Sequence, residues 1–141
     1  MPFVYSTGNP TFPEIINVEK AVGRGCPNLP DDVKLVQFLL KKVFASPLWK
    51  DFLIQRPLTG DCDELTSAWI YLFQCCMRAR GGSGVADQRV DRATGMVGPV
   101  SGKTYTIVNL NHQFAQGYPL EFGKWVKGTD GVPTGKVVKT I

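Results

Sequence analysis

Apolar residues recur at helical spacing in three stretches of the chain, and at strand-like or turn-broken spacing toward its two ends. The first helical stretch follows Asp31 and Asp32, either of which can cap a helix start. It repeats Val33, Val36, Leu40 and Val43/Phe44, with Leu35 and Leu39 widening the stripe. So broad a face predicts a helix buried on more than one side, and Lys41 and Lys42 suit its negative C-terminal end. Ser46-Pro47 reads as a cap and a first-turn proline opening a short helix through Trp49, Phe52 and Leu53. Arg56-Pro57 ends it, because a residue before proline avoids helical geometry. A second long helix carries Leu65, Ala68/Trp69, Leu72/Phe73 and Cys76 toward the core. Asp63 is its expected cap, Glu64 lies in its first turn, and Arg78 and Arg80 precede Gly81-Gly82. The third is expected to be capped by Ser101, to bury Tyr105/Val108 and Ile107/Leu110/Phe114, and to close at Gly117.

The ends read differently. Residues 1–30 hold five prolines and three glycines, which predicts an extended N-terminal arm over 1–22. Leu120–Lys127 and Lys136–Ile141 favour strand and flank the turn-rich GTDGVPTG, so 118–141 is expected to form a β-hairpin-like tail. The fold class is therefore mainly α: a helical domain over 23–117 between an arm and a tail, with no internal repeat.

Composition narrows the chemistry. With 141 residues, 20% charged and 43% hydrophobic, one domain can bury roughly two-thirds of its unfolded surface without staples. The formal charge of +4 is too mild for a nucleic-acid binder, although residues 101–141 set five lysines against two acids. No apolar run is long enough to span a membrane, and the N-terminus lacks a basic start followed by an apolar stretch. Synthesis in the cytosol without a cleaved signal peptide is expected. Four cysteines without metal-ligand spacing read as buried or idle thiols; Cys75 and Cys76 point about 100° apart on a helix and cannot readily bridge. No metal or cofactor is expected. The single histidine, His112, has no carboxylate at i±3 or i±4 and reads as a surface or core residue. Asp61, Asp63 and Glu64 form an acidic group at a helix start, where negative charge is favoured without any catalytic role. GGSG and TDGVPTG lack the Lys-Ser/Thr of a phosphate-binding loop. An enzyme is not expected.

Three segments in this order resemble the peptidoglycan-binding-like domain family over about residues 20–115. "DVKLVQFLL", Asp32–Leu40, is similar to its first-helix signature. "LTGDCDELTSAWIYLFQ", Leu58–Gln74, is similar to its second, in which a Gly/Asp turn precedes a helix-start Thr and an Ala-Ile-x-x-Phe-Gln run. "VADQRVDRATG", Val85–Gly95, resembles its Asp-Gly-x-Val-Asp-Pro loop, and "VGRGCPNLPDDV" resembles the entry turn of a subgroup. Gln88 stands where the family has glycine and Arg92 where it has proline, Cys62 takes a small or apolar position, and the loop before the third helix is longer. The resemblance implies a non-catalytic three-helix module; Gln37 and Gln74 can bond backbone across it or stay in solvent, and the structural role is the favoured reading. A glycan would meet the turns at Asp61, Asp87 and Arg89 and stack on Trp49 and Trp125.

The function expected on these grounds is a structural or cell-wall-contacting component of a larger assembly, such as a phage tail or injection particle. Its partners would be other copies or particle subunits reached through the terminal arms, and peptidoglycan. It would be located in an extracellular particle or virion, or at the cell envelope. The alternatives are a stand-alone cell-wall glycan-binding protein and a cytosolic regulatory or nucleic-acid-contacting protein.

Overall fold

A computed structural model describes residues 1–49 and 58–128. Among these, four α-helices carry most of the regular backbone: α1 (Pro30–Ala45), α2 (Glu64–Ala79), α3 (Thr106–Gly117) and α4 (Pro119–Lys127). Two small antiparallel pairs accompany them. β1 (Phe3–Ser6) pairs with β2 (Glu14–Asn17), setting Phe3 opposite Asn17 and Ser6 opposite Glu14. β3 (Val22–Gly23) pairs with β4 (Arg89–Val90), setting Gly23 opposite Arg89. The protein is mainly helical with a minor β component.

The first helix is the hub, packing against α2, α3 and β3. Val33, Leu35, Val36, Leu39, Leu40, Val43 and Phe44 are all fully buried on it, as its broad apolar face predicts. At about 1.5–3 kcal/mol for each such side chain withdrawn from water, this helix supplies much of the hydrophobic stabilisation. Its start differs from expectation. Pro30 occupies the first turn, where a missing N–H costs nothing, and no side chain caps the helix. Asp32 is buried and turns back instead, accepting the backbone N–H groups of Glu19 and Lys20 at 3.0 Å each.

Entry to α2 is as expected, with the Asp63 carboxylate accepting the N–H of Thr66 at 2.7 Å. Its buried face is rotated from the expected stripe. Trp69, Ile70, Phe73 and Met77 point inward, whereas Leu65 is 62% exposed and Ala68 is also exposed. Both faces of this helix are apolar, so the periodicity alone fits either. Ser101 does not cap α3. Its hydroxyl accepts the N–H of Lys103 inside a tight turn bridged between Val97 and Thr104, and the helix starts five residues later at Thr106.

Both ends of the described chain depart from expectation. The N-terminal segment is strand-like but is not an arm outside the body. Ile15, Ile16 and Val18 are fully buried and join the same hydrophobic cluster as the helices. The expected β-hairpin-like tail is replaced over Pro119–Lys127 by α4, where a first-turn proline and the Phe122/Trp125/Val126 spacing favour helix. Glu121 in its first turn pairs with Lys42 of α1. The short helix after Ser46 is a 3-10 turn over Pro47–Trp49; Phe52, Leu53 and Lys136–Ile141 lie outside the described residues.

Candidate functional site

The site grows from a buried amide. Gln74, on α2, is 2% exposed, and its side chain reaches out of the helix to hold the turn at Asp87–Arg89. Its Oε1 accepts the N–H of Gln88 at 2.9 Å. Its Nε2 faces the Arg89 carbonyl at 2.9 Å, the Thr106 hydroxyl at 3.0 Å and an Asp87 carboxylate oxygen at 3.1 Å. One side chain thus ties α2, the turn and the first residue of α3 together. Gln88 sits at φ +64°, the left-handed region that suits glycine, which costs a residue with a side chain about 1 kcal/mol. The bond to Gln74 offsets that strain.

The turn is backed by β3. A Cβ on Gly23, at φ +135°, would lie 2.3 Å from the Gln88 carbonyl oxygen, so only glycine lets the two backbones approach this closely. Asn17 holds the chain just beyond β4 from below. Its amide donates to the Ala93 carbonyl at 2.9 Å and accepts the Ala93 N–H at 3.1 Å.

Between this turn and the segment entering α3 lies a cleft of about 160 Å³. Val85, Asp87, Arg89 and Asp91 form one wall; Gly98, Ser101, Lys103, Thr104, Tyr105 and Thr106 form the other. Arg89 pairs with Asp91 at 3.2 Å, and that carboxylate raises the guanidinium's already high pKa further. The Asp87 carboxylate also accepts the Arg89 N–H at 3.0 Å. On the far wall, the Tyr105 hydroxyl meets the Thr94 hydroxyl at 3.0 Å, and the Ser83 hydroxyl accepts the Thr104 N–H at 3.2 Å.

The lining carries two acids and two bases, Asp87 and Asp91 with Arg89 and Lys103, a balance that suits a neutral or zwitterionic ligand better than a polyanion. The volume is below the roughly 300 Å³ at which pockets begin to enclose whole drug-sized ligands, so it fits one sugar ring or a short polar group. Cys26 lies within electrostatic reach of Arg89, but burial is the larger influence and pushes the thiol up, away from the reactive thiolate. His112 is exposed on α3, with its ring 5.3 Å from Phe12, and does not line the cleft. Among the described residues no three metal-ligating side chains gather, and no helix is long and apolar enough to cross a membrane.

Of the five residues named from the sequence, the cleft unites two, Asp87 and Arg89. Asp61 belongs to a different turn, where its carbonyl accepts from Gln37 at 3.2 Å. Trp49 is corrected from a ligand platform to a core residue. It is fully buried, stacked on Phe73 at 5.4 Å, covered by the Arg80 guanidinium at 3.9 Å, and bonded through its indole N–H to Gln113 at 3.0 Å. Trp125 is half-buried among Phe38, Phe114 and Phe122, with centroids at 5.3, 5.5 and 6.0 Å. Sequence reasoning misses the far wall. Ser101, Lys103 and Tyr105 sit in a segment whose apolar spacing mimics a helix start, and Gly98 and Gly102 are the available turn signal. No family model, curated protein or solved structure matches this chain.

Proposed function

We propose that the protein is a non-catalytic, peptidoglycan-binding-like module in which α1, α2 and α3 form the three-helix unit and the Asp87–Arg89 cleft receives cell-wall glycan or its peptide. It would serve within a larger particle or envelope-associated assembly such as a phage tail or injection apparatus. The observation that carries this reading is the cleft itself. Asp87 and Arg89 meet Asp91, Ser101, Lys103 and Tyr105 around a volume the size of a sugar ring, on walls held by buried amides. The lining offers hydroxyl, carboxylate, ammonium and guanidinium partners beside one aromatic ring, the set that hydroxyl-rich ligands require. Among the described residues, its Tyr105, Ser101 and Thr106 hydroxyls bond Thr94, the Lys103 N–H and Gln74 rather than a carboxylate or imidazole base, which favours retention over turnover.

The test is co-sedimentation of the full chain with purified cell-wall sacculi. Retention should be lost in Arg89→Ala and in Tyr105→Ala, and kept in Trp49→Phe. No retention of the wild type, or full retention by both cleft variants, overturns the glycan reading.

A further inference from the structure

The outer face of α2 is apolar where a solvent-facing helix is ordinarily charged. Over its 16 residues the only charged side chains are Glu64 at the start and Arg78 at the end. Between them Leu65 is 62% exposed and Tyr71 42%, Ala68 is exposed, and Leu72 and Cys75 are half-buried. These positions share one arc opposite Trp69, Ile70, Phe73 and Met77, so the helix carries a second apolar stripe beside the one that faces the core.

We propose that this face pairs with the same face of a second copy of the chain, the two α2 helices running antiparallel about a two-fold axis near Tyr71 and Leu72. The charges decide both partner and direction. With one acid and one base at opposite ends, an antiparallel copy brings Glu64 of each helix beside Arg78 of the other, twice over. A parallel copy would set like charge on like. The same register lays Ala68 against Cys75 of the second copy, small against small, so the backbones can approach closely while Leu65, Tyr71 and Leu72 close the seam. This surface is separate from the cleft, and its test makes no use of glycan.

The measurement is the mass of the full chain in solution by sedimentation velocity and light scattering. The wild type is expected to form a dimer. Leu65→Lys, which sets a cation beside Arg78 of the second copy, and Ala68→Arg, which buries an unpaired charge, should each weaken it roughly a hundredfold, with circular dichroism unchanged because both positions are exposed. Glu64→Arg and Arg78→Glu should each weaken the dimer, and the double variant should restore it. In Ala68→Cys, mild oxidation should cross-link two chains, and the further change Cys75→Ser should abolish that link. A wild type that stays monomeric at high concentration overturns the proposal. So does a dimer that survives Leu65→Lys and Ala68→Arg, or a double charge variant that gives no rescue.

Discussion

Two turns in this molecule are held by one device and put to different ends. Gln37 on α1 accepts the Gly60 N–H at 3.1 Å and faces the Thr59 hydroxyl, the Asp61 carbonyl and the Thr66 hydroxyl of α2, each at 3.2 Å. Gln74 on α2 repeats this with Gln88, Asp87, Arg89 and Thr106 of α3. In both, a buried amide reads a turn with a left-handed residue at its centre, Gly60 at φ +81° and Gln88 at φ +64°, and bonds a threonine near the start of the next helix. The two turns differ in the length of chain that leads on to that helix. After Gly60 the chain reaches α2 almost at once, sealed by the Asp63 cap. After Gln88 it makes a longer excursion before α3 begins, and residues 98–105 of that excursion form most of the far wall of the cleft. The device is architecture; the longer loop is what opens the cleft.

The likeness between the turns is broken most directly at the amides. Gln37→Met and Gln74→Met each strand a buried N–H and several acceptors, and each should cost about 3 kcal/mol in denaturant unfolding. Only Gln74→Met should also reduce retention on sacculi, because only its turn lines the cleft. Equal loss of retention in both would show that the two turns do not differ in use.

The glycines come next. Gly23→Ala forces a Cβ onto the Gln88 carbonyl at a positive φ and should cost about 3 kcal/mol. Gly60→Ala meets first the flexible Lys34 side chain, at 3.3 Å, so it bears mainly the backbone term of about 1–2 kcal/mol. Thermal melts of the pair measure how much more tightly the second turn is backed.

A smaller effect tests, through pH, the tie between α1 and the chain that joins β2 to β3. Burial holds the Asp32 carboxyl above its ordinary 3.8, against the pull of the N–H bonds from Glu19 and Lys20. The folded state therefore binds this proton more tightly than the unfolded chain does. Its contribution is complete below the unfolded value and is lost as pH rises through the folded one. Asp32→Asn should flatten that part of the stability profile and cost about 1 kcal/mol at neutral pH, since the amide retains one acceptor for two donors. The smallest change should be favourable: Gln88→Gly relieves the left-handed strain and is expected to add up to about 1 kcal/mol, read as a small rise in melting temperature.

The sequence made α1 and the Asp63 cap legible, since each rests on local spacing; for Gln37 and Gln74 it offered backbone bonding or solvent, and only the fold shows which turns they hold. It misled where two periodicities coexist. The apolar residues of α2 fit either face, and only packing selects Trp69 and Phe73 over Leu65. Leu120, Phe122 and Lys127 read as strand because β-favouring composition outweighed the proline start and the Phe122–Trp125 step that make α4. The paired turns escaped notice as a repeat because the connections after them differ in length, leaving no fixed period.

The amide ties of the N-terminal hairpin carry a consequence for how the molecule is made. Asn111 of α3 clasps both backbone groups of Ile16 across 95 positions, and Asn17 clasps Ala93 across 76. On a growing polypeptide the hairpin emerges early and must wait, its isoleucines uncovered, until α3 has left the ribosome. Its docking is therefore a late event, and the interval before it is when a nascent chain is most open to chaperone capture or to exchanging that hairpin with a neighbour.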